Sequence, residues 1–443
     1  MKPFSVKEEY STRIKFAWAK LPAKQKARVL PVLESAHAAA VSCLERRVPR
    51  HDLATVGSHF ALAHSVITND RDGILSGLAA RDAAAASAEA PAAAAAAAVP
   101  PLVDAEGVIW GTKQYENLDP GWLEAFAVWL EHLILPKHPF NASLPANNIP
   151  MDTSVRIALA GDWATGFCEH YTAPSQNVKS AIESLAPDFT IHLGDVYYTG
   201  TDAHEQNNLA AIWPKGAEGS LALNSNHEMH PGGGPYFNML NQAGSPFSVQ
   251  HGRSFFALEN EHWIVVGLDS AYYAEKELLY SPGTLCGGAD TAIQLTFLRQ
   301  QAAKGKTLIV LTHHNPLDLT GDGSTPYTYT TNKLGEQMLS VVPPGSYWYW
   351  GHVHAGAVFK GTALSGVFGR CCGHGGIPWG TPAGRSAFAN PDYVEWWGNT
   401  PANDADMPER LRNGLAVIDL NGPNISERFF DEKGCLRFQP GPR

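Results

Sequence analysis

Two short apolar segments, each ending in Gly-Asp, constrain the fold of this chain more than any other feature. Residues 155–160 (VRIALA) lead to Gly161-Asp162, and residues 189–193 (FTIHL) lead to Gly194-Asp195. Residues 177–186, between them, carry apolar side chains at helical spacing. The pattern predicts a β-α-β unit, whose right-handed crossover makes the strands parallel and brings both aspartates to one sheet edge. Ligand sites of open α/β sheets lie at that edge.

Three further apolar segments end in amide or imidazole side chains. They are residues 221–223 before Asn226-His227-Glu228, residues 307–311 before His313-His314, and the aromatic run 347–350 before His352-Val353-His354. Asp269-Ser270, which follows the apolar segment 263–268, is left out of this set. One histidine at a strand end is usually a surface residue. Together with the two aspartates, these segments give five strand ends (the polar stations) that each carry metal-binding side chains. Five such strand ends are hard to explain as ordinary surface residues, so we expect them to form one site.

The residue types at these stations are those that bind metal ions. Carboxylate and amide oxygens together with imidazole nitrogens suit iron, zinc or manganese. His352 and His354 lie two residues apart, so their side chains point to one face of an extended segment, and Gly351 allows close backbone approach. Two-metal sites, with ions about 3.5–4 Å apart, clamp the oxygens of an in-line displacement at phosphorus. The pattern therefore predicts a dinuclear centre for phosphoryl chemistry.

Charge and hydropathy narrow the class of protein. The net charge of −10 argues against general nucleic-acid binding, which needs a basic surface. No apolar run of about 18 residues predicts a transmembrane helix. The N-terminal stretch MKPFSVKEEY lacks the apolar core of a signal peptide. We therefore expect a cytoplasmic protein that does not bind nucleic acid. The phosphoryl chemistry predicted above adds the expectation of a small-molecule phosphoester substrate.

An alanine-rich stretch divides the chain. Residues 82–101 are nearly all alanine and end in two prolines, which is typical of a linker or a loose helix. The sequence predicts a helical accessory region over 1–81, a helical lead-in over 102–150 packed on the catalytic domain, and the catalytic domain over 151–443. The lead-in carries one apolar stripe, formed by Leu123, Phe126, Leu130 and Leu133.

The accessory region 1–81 is rich in Lys and Arg. A solvated face on a helical bundle explains this composition, and a docking surface for an acidic partner or a membrane is the alternative. Homo-oligomerisation through this region is a further expectation.

The order of the polar stations resembles the motif order of the calcineurin-like metallophosphoesterase family. The family pattern is Asp, Gly-Asp, Asn-His-Asp/Glu, His and Gly-His-x-His. This chain matches it over roughly residues 150–430 with Gly161-Asp162, Gly194-Asp195, Asn226-His227-Glu228, His313-His314 and Gly351-His352-Val353-His354. The resemblance implies an α/β fold, a four-layer α/β/β/α sandwich with the N-terminal helical region as an accessory.

Departures from the family pattern point to one branch. The general motif begins Asp-x-His, but Ala164 stands where that histidine is expected. The second motif, GDVYY at residues 194–198, is similar to the GDxxY of purple acid phosphatases, whose tyrosine binds ferric iron as a phenolate. Tyr198 is therefore the expected ligand, and Tyr197 is the alternative. Ser225 stands where a glycine usually precedes Asn-His.

The resemblance also implies a set of metal ligands. They are Asp162, Tyr198 and His354 for the first ion, Asn226, His314 and His352 for the second, and Asp195 as the bridge between them. His314-Asn315-Pro316 matches the His-x-Pro of purple acid phosphatases, which favours His314 over His313, the alternative ligand. The ions implied are Fe(III) with Fe(II), Zn(II) or Mn(II).

The implied activity is hydrolysis of phosphate monoesters in one step, by attack of a metal-bound hydroxide on phosphorus. His227 would contact the phosphate or protonate the leaving oxygen, and His230 and Asp318 are further candidates for substrate contact or proton donation. A phosphodiesterase acting on a cyclic nucleotide or a phospholipid head group is an alternative on the same centre. A non-catalytic scaffold on a phosphoesterase fold is a third reading, against which the intact ligand set argues.

Overall fold

The structure of this protein is a computed structural model that falls into two compact units. It describes residues 8–44, 63, 66–67, 102–103, 107–111, 113–117, 119–167, 174–276, 282–287, 292–321, 326–380 and 388–441. The predicted linker over residues 82–101 lies outside this part of the chain. One unit comprises Met1–Leu135, Glu277–Tyr280 and Gly380–Arg385, and the other comprises Pro136–Lys276, Ser281–Trp379 and Ser386–Arg443.

The first unit is built mainly from helices in its described part. Its elements are α1 (Glu8–Lys20), α2 (Ala23–Leu44), the antiparallel strands β1 (Leu102–Val103) and β2 (Ile109–Trp110), and α3 (Trp122–His132). The predicted apolar stripe is confirmed, because Leu123, Phe126, Leu130 and Leu133 are all buried in one core with Ile14 of α1.

Arg13 of α1 binds Glu131 of α3 through two parallel hydrogen bonds of 2.8 Å each. This bidentate pair is half-exposed, so it orients the two helices more than it stabilises them. None of the helices described in either unit is both long enough and apolar enough to cross a bilayer.

The second unit contains two large β-sheets. Its strands are β3 (Ile149–Pro150), β4 (Ser154–Ala160), β5 (Phe189–His192), β6 (Gly219–Ala222), β7 (Phe256–Glu259), β8 (Trp263–Gly267), β9 (Thr307–Thr312), β10 (Leu317–Thr320), β11 (Thr328–Thr331), β12 (Tyr347–Trp350), β13 (Gly356–Phe359), β14 (Phe368–Cys372), β15 (Val394–Trp397), β16 (Gly414–Asn421), β17 (Asn424–Asp431) and β18 (Leu436–Phe438). Within the described residues, one sheet has the order β15-β13-β14-β12-β9-β8-β7-β3 and the other β18-β17-β16-β4-β5-β6. Strands β10 and β11 form a separate antiparallel hairpin.

The helices of the second unit lie between these strands in the chain. They are α4 (Pro174–Ser184), α5 (Asp202–His204), α6 (Asn226–Met229), α7 (Gly234–Asn241), α8 (Ile293–Ala302) and α9 (Lys333–Leu339). A π-helical turn follows α5 at Glu205–Ala210, and 3₁₀ turns lie at Ser248–Gln250 and Gly361–Leu364.

The predicted β-α-β unit is present as β4, α4 and β5. Strands β4 and β5 pair in parallel, with Ile157 opposite Phe189 and Ala160 opposite His192. Strand β6 continues the parallel arrangement beyond β5. The carboxyl ends of these three strands therefore lie at one edge of the six-stranded sheet, as the sequence predicts for the two aspartates.

A common apolar core joins facing sides of the two sheets. It includes Ile157 and Ile191 of the six-stranded sheet and Val265 and Ile309 of the eight-stranded sheet. The opposite face of the six-stranded sheet packs with residues of α4 and α7, and that of the eight-stranded sheet with residues of α8 and α9. Because strands β8 and β9 are buried on both faces, their segments WIVV and LIVL are continuously apolar instead of alternating.

One ion pair lies inside this core. Arg370 of β14 donates to Glu427 of β17 through two hydrogen bonds of 2.5 and 2.7 Å, and Tyr349 of β12 donates to the same carboxylate at 2.5 Å. The pair joins one strand from each sheet. Both partners are buried, so removing either would leave an unpaired charge in the core.

Candidate metal centre

The two aspartates of the Gly-Asp motifs lie together at the strand edge. Ligand atoms of Asp162, Asp195 and His354 all lie within 4.8 Å of one another. Asp162 follows β4 and Asp195 follows β5, so both come from the six-stranded sheet, whereas His354 follows β12 of the other sheet. Both carboxylates are buried. The structure thus brings together three of the side chains that the sequence predicts as metal ligands.

The phenol at this group belongs to Tyr197. Its hydroxyl lies 2.9 Å from Asp195 Oδ2, 3.2 Å from Asp162 Oδ1 and 3.2 Å from His354 Nε2. Tyr198, which the GDxxY pattern favours, contributes its backbone carbonyl, 2.7 Å from His227 Nδ1. The structure therefore places the alternative tyrosine, and not the favoured one, between the two aspartates and His354.

A second group of ligand atoms is formed by His313, His314 and His352, which again lie within 4.8 Å of one another. His313 Nε2 lies 3.1 Å from Asn226 Oδ1 and 3.2 Å from Asp195 Oδ1, so it connects this group to Asp195 of the first group. His314 Nδ1 lies 2.9 Å from Ser270 Oγ. Both members of the His-His pair are present, and the contacts with Asn226 and Asp195 are made by His313.

The donor set fits cations. His313 Nδ1 lies 2.9 Å from the carbonyl oxygen of Leu193, an acceptor, so this nitrogen carries a proton, and in the neutral imidazole Nε2 then carries a lone pair. That lone pair faces two further acceptors, the oxygens of Asn226 and Asp195. Within the described residues, the ion pairs of the two aspartates are all with histidines. Lone pairs that converge in this way are the arrangement that a bound cation would satisfy.

Burial sets the protonation of the carboxyl pair. Burial, and then the charge of Asp195, raises the pKa of Asp162 well above its usual range. Burial also opposes ionisation of Asp195, but His227, His313 and His352 outweigh it and hold its pKa well below its usual range. The two buried carboxyls therefore resist ionising together, and a cation between them would remove that repulsion.

The same burial disfavours the protonated form of His352 and His354. It lowers the pKa of His352 to about 3 and that of His354 to about 4. Neutral imidazole is the form that binds metal ions. His352 and His354 are half-exposed, whereas the aspartates are buried, so solvent reaches the group from the side of the histidines.

Four of the predicted ligands have left-handed backbone. The φ angles are 55° for Asp162, 77° for Asp195, 68° for His352 and 21° for His354. Non-glycine residues in this region are uncommon and cluster at functional sites. The left-handed residues turn the chain sharply at the strand ends, which directs side chains from separate strands to the same point.

His227 lies beside the carboxylates. Its Nε2 is 3.8 Å from Asp195 Oδ2, and its ring contacts Tyr197 edge-on at a centroid distance of 4.8 Å. Burial lowers the pKa of His227. His230 packs against His227, with 4.8 Å between ring centroids, and its Nδ1 lies 3.1 Å from Thr199 Oγ1.

Asp318, the third candidate for substrate contact or proton donation, lies on the exposed strand β10. Its carboxylate accepts a hydrogen bond of 3.3 Å from Asn332 Nδ2. The structure thus brings His227 and His230 to the neighbourhood of the two aspartates and pairs Asp318 with a residue at the start of α9.

Two serines at the centre were not predicted to act there. Ser225 Oγ lies 2.5 Å from Asp195 Oδ1, and Ser270 Oγ lies beside His314. Ser225 stands where the family pattern has a glycine, and this departure was the one sequence signal that pointed to it. Ser270 belongs to the Asp269-Ser270 station that was left out. Asp269 itself has a local role, because it accepts hydrogen bonds from the backbone of Ala271 and Tyr272.

A small cleft lies beside His354. Trp379, one of its walls, contacts the His354 ring edge-on at 5.1 Å. The cleft is also lined by His374, Trp397, Arg412 and Asn413. It therefore offers indole surfaces and hydrogen-bond donors next to the half-exposed edge of the centre.

No family model matches this chain, and no curated protein matches it. Among solved structures, an uncharacterized protein of Streptococcus pneumoniae, a predicted phosphoesterase, is 10% identical over 66% of this chain and 99% of its own, with a TM-score of 0.24. A single mutant of Vps29 from Entamoeba histolytica is 6% identical over 65% of this chain and 99% of its own, with a TM-score of 0.27. Superpositions this loose carry no argument about function, so the centre is interpreted from its own residues.

Proposed function

We propose that this protein is a metal-dependent phosphoric ester hydrolase of the calcineurin-like metallophosphoesterase type, with a centre similar to that of purple acid phosphatases. The observation that carries the proposal is the convergence of oxygen and imidazole ligands from strand ends of two sheets around the buried Asp195. We assign the two packed sheets and their flanking helices to the four-layer sandwich of that family.

The first ion would be held by Asp162, His354 and a tyrosine, for which the geometry favours Tyr197. The second would be held by Asn226, His352 and one of His313 and His314, with Asp195 between the two ions. Fe(III) suits the site with a phenol, and Fe(II), Zn(II) or Mn(II) suits the site with imidazoles and an amide. Bound cations would supply positive charge that polarises a phosphoryl group and activates water.

The protein side chains would act on the substrate from around this centre. His227 is oriented by the hydrogen bond from its Nδ1 to the Tyr198 carbonyl, which leaves Nε2 facing Asp195. With the ring doubly protonated, a form that burial opposes and the charge of Asp195 favours, Nε2–H would be delivered to the leaving oxygen as the phosphorus–oxygen bond breaks. The attacking water would form the new phosphorus–oxygen bond, its released proton would return to Nε2, and the alcohol would depart. The His230 ring packs against the His227 ring.

Metal analysis and hydrolysis assays test the proposal. Freshly purified protein should contain about two metal ions per chain and should hydrolyse nitrophenyl phosphate. Comparing this monoester with the bis-nitrophenyl ester separates a phosphomonoesterase from a phosphodiesterase.

The variant that tests the centre is Asp195→Asn, which keeps the size of the proposed bridging side chain and removes its charge. It should lower the hydrolysis rate by more than about 100-fold, because even residues that only support metal ligands contribute 10–100-fold. A wild-type protein with neither bound metal nor hydrolysis of either ester would show that the fold serves as a scaffold.

A further inference from the structure

Ser225 is the residue at which this chain departs from the family pattern inside the candidate metal centre. It is buried and lies just before Asn226, as the N-cap of α6. Its backbone is extended, with φ −136° and ψ 178°, a conformation that every residue type adopts. Glycine is therefore not needed here for conformational reasons, and a side chain at this position is free to act.

The Ser225 hydroxyl makes contacts on three sides. It donates to Asp195 Oδ1 at 2.5 Å, and it accepts the backbone N–H of His227 at 3.0 Å. The buried carboxyl oxygen Oε2 of Glu228 lies in hydrogen-bond contact with the same hydroxyl. Because the hydroxyl has a single proton, its donation to Asp195 requires the Glu228 carboxyl to act as the donor in this second contact. The first contact joins the serine directly to the proposed bridging ligand.

The two oxygens of Asp195 have different surroundings. Oδ1 faces Ser225 and His313, on the side of the second ligand group, whereas Oδ2 faces Tyr197 at 2.9 Å, on the side of the first. Rotation of the carboxylate about its Cβ–Cγ bond would exchange these surroundings. A hydrogen bond to one oxygen opposes that rotation.

We infer that Ser225 is a positioning residue for the bridging carboxylate: its hydroxyl holds Asp195 in the rotation that offers one oxygen to each ligand group. The inference rests on the proposed metal centre and adds a residue to it that the family pattern does not contain. Groups that orient a metal ligand typically contribute 10–100-fold to metal affinity.

Calorimetric titration of the metal-depleted full chain with Mn²⁺ tests this role. Ser225→Ala and Ser225→Gly remove the hydroxyl and should raise the Mn²⁺ dissociation constant by about 10–100-fold. Ser225→Thr keeps the hydroxyl and should bind Mn²⁺ with nearly the affinity of the wild type.

The hydroxyl also caps a helix, and that role needs its own control. Asn332 caps α9 by accepting the backbone N–H of Gly335 at 3.0 Å, outside the candidate metal centre. Both Asn332→Ala and Ser225→Ala should lower the melting temperature, because each removes a helix cap. Asn332→Ala should leave the Mn²⁺ dissociation constant unchanged.

The outcomes separate this inference from the proposed function. An unchanged Mn²⁺ dissociation constant in folded Ser225→Ala, with wild-type protein that binds two ions, would overturn the role of Ser225 alone. Equal losses of affinity in Ser225→Ala and Asn332→Ala would also overturn it, because the effect would be one of helix capping. A wild-type chain that binds no metal would overturn the inference together with the proposed centre.

Discussion

The left-handed backbone of Asp162, Asp195, His352 and His354 is the main residue-scale feature of the centre. Each such conformation costs about 1–3 kcal/mol and persists only where the surrounding structure enforces it. Here the backbone N–H of His352 donates to Asp162 Oδ2 at 2.8 Å, so one ligand segment holds the other. The conformation of these candidate ligands is therefore held by the backbone around them.

The two neighbouring tyrosines give a prediction at this scale. Tyr197→Phe should lower the affinity for Fe(III) by about tenfold or more, because it removes the hydroxyl that contacts both aspartates and His354. Tyr198→Phe is the matched control and should change the affinity little. The visible absorption of iron-loaded protein measures this: the tyrosinate band should disappear only in Tyr197→Phe. Loss of the band only in Tyr198→Phe would contradict the prediction and favour the GDxxY pattern.

At the scale of elements, glycine-rich loops allow strand ends of the two sheets to touch. The backbone N–H of Gly161, after β4, donates to Cys372 O of β14 at 2.9 Å, and that of Gly375 donates back to Gly161 O at 2.9 Å. A side chain at Gly351 would approach Asp162 Oδ2 to 2.7 Å. These loops approach one another so closely that only glycine fits between them.

Gly376 tests this close packing. A methyl group there would lie 2.3 Å from the backbone oxygen of Trp163, an atom that cannot move without displacing its loop. Gly376→Ala should therefore lower the free energy of unfolding by about 1–3 kcal/mol and also weaken metal binding. Gly234→Ala is the control, since a methyl group there meets nothing within 4 Å. Urea unfolding compares the two variants, and equal stability would show that the loop has room for a side chain.

At the scale of the whole molecule, the second unit has a shared apolar core and a buried polar edge. The two sheets bury apolar side chains between them, together with the Arg370–Glu427 pair. At their common edge, Asp162 and Asp195 are buried without an ion pair to Lys or Arg among the described contacts. Bound cations would thus add to the stability of this unit as well as to its chemistry.

Metal removal tests that coupling. A chelator should lower the melting temperature of the wild type, and added Mn²⁺ should restore it. At a free concentration one hundred times the dissociation constant, the stabilisation is about 2.7 kcal/mol. Asp195→Asn should show a much smaller rise with Mn²⁺. Thermal unfolding with and without the ion measures both proteins, and a wild-type transition that does not respond to either addition would contradict the proposed centre.

Local pattern was sufficient for the β-α-β unit, for the apolar stripe of α3 and for the residue types of the candidate ligands. Apolar segments ending in Gly-Asp predicted β4, α4 and β5, and the apolar stripe of α3 was evident from its spacing. These features depend on neighbours in the chain, such as helical periodicity and turn residues, so they are visible in one dimension. The ligand types at the strand ends were likewise readable, because metal chemistry restricts them to few residue types.

Only the tertiary structure decided how these stations meet. The sequence treats them as successive strand ends, but Asp162 and Asp195 come from one sheet and His313, His352 and His354 from the other. It also decided which tyrosine hydroxyl reaches the aspartates and what Ser225 contacts, since both depend on the direction of a side chain at a turn. Side-chain directions at these turns are set by packing between segments that are distant in the chain. A pattern of neighbouring residues in the sequence does not specify that packing.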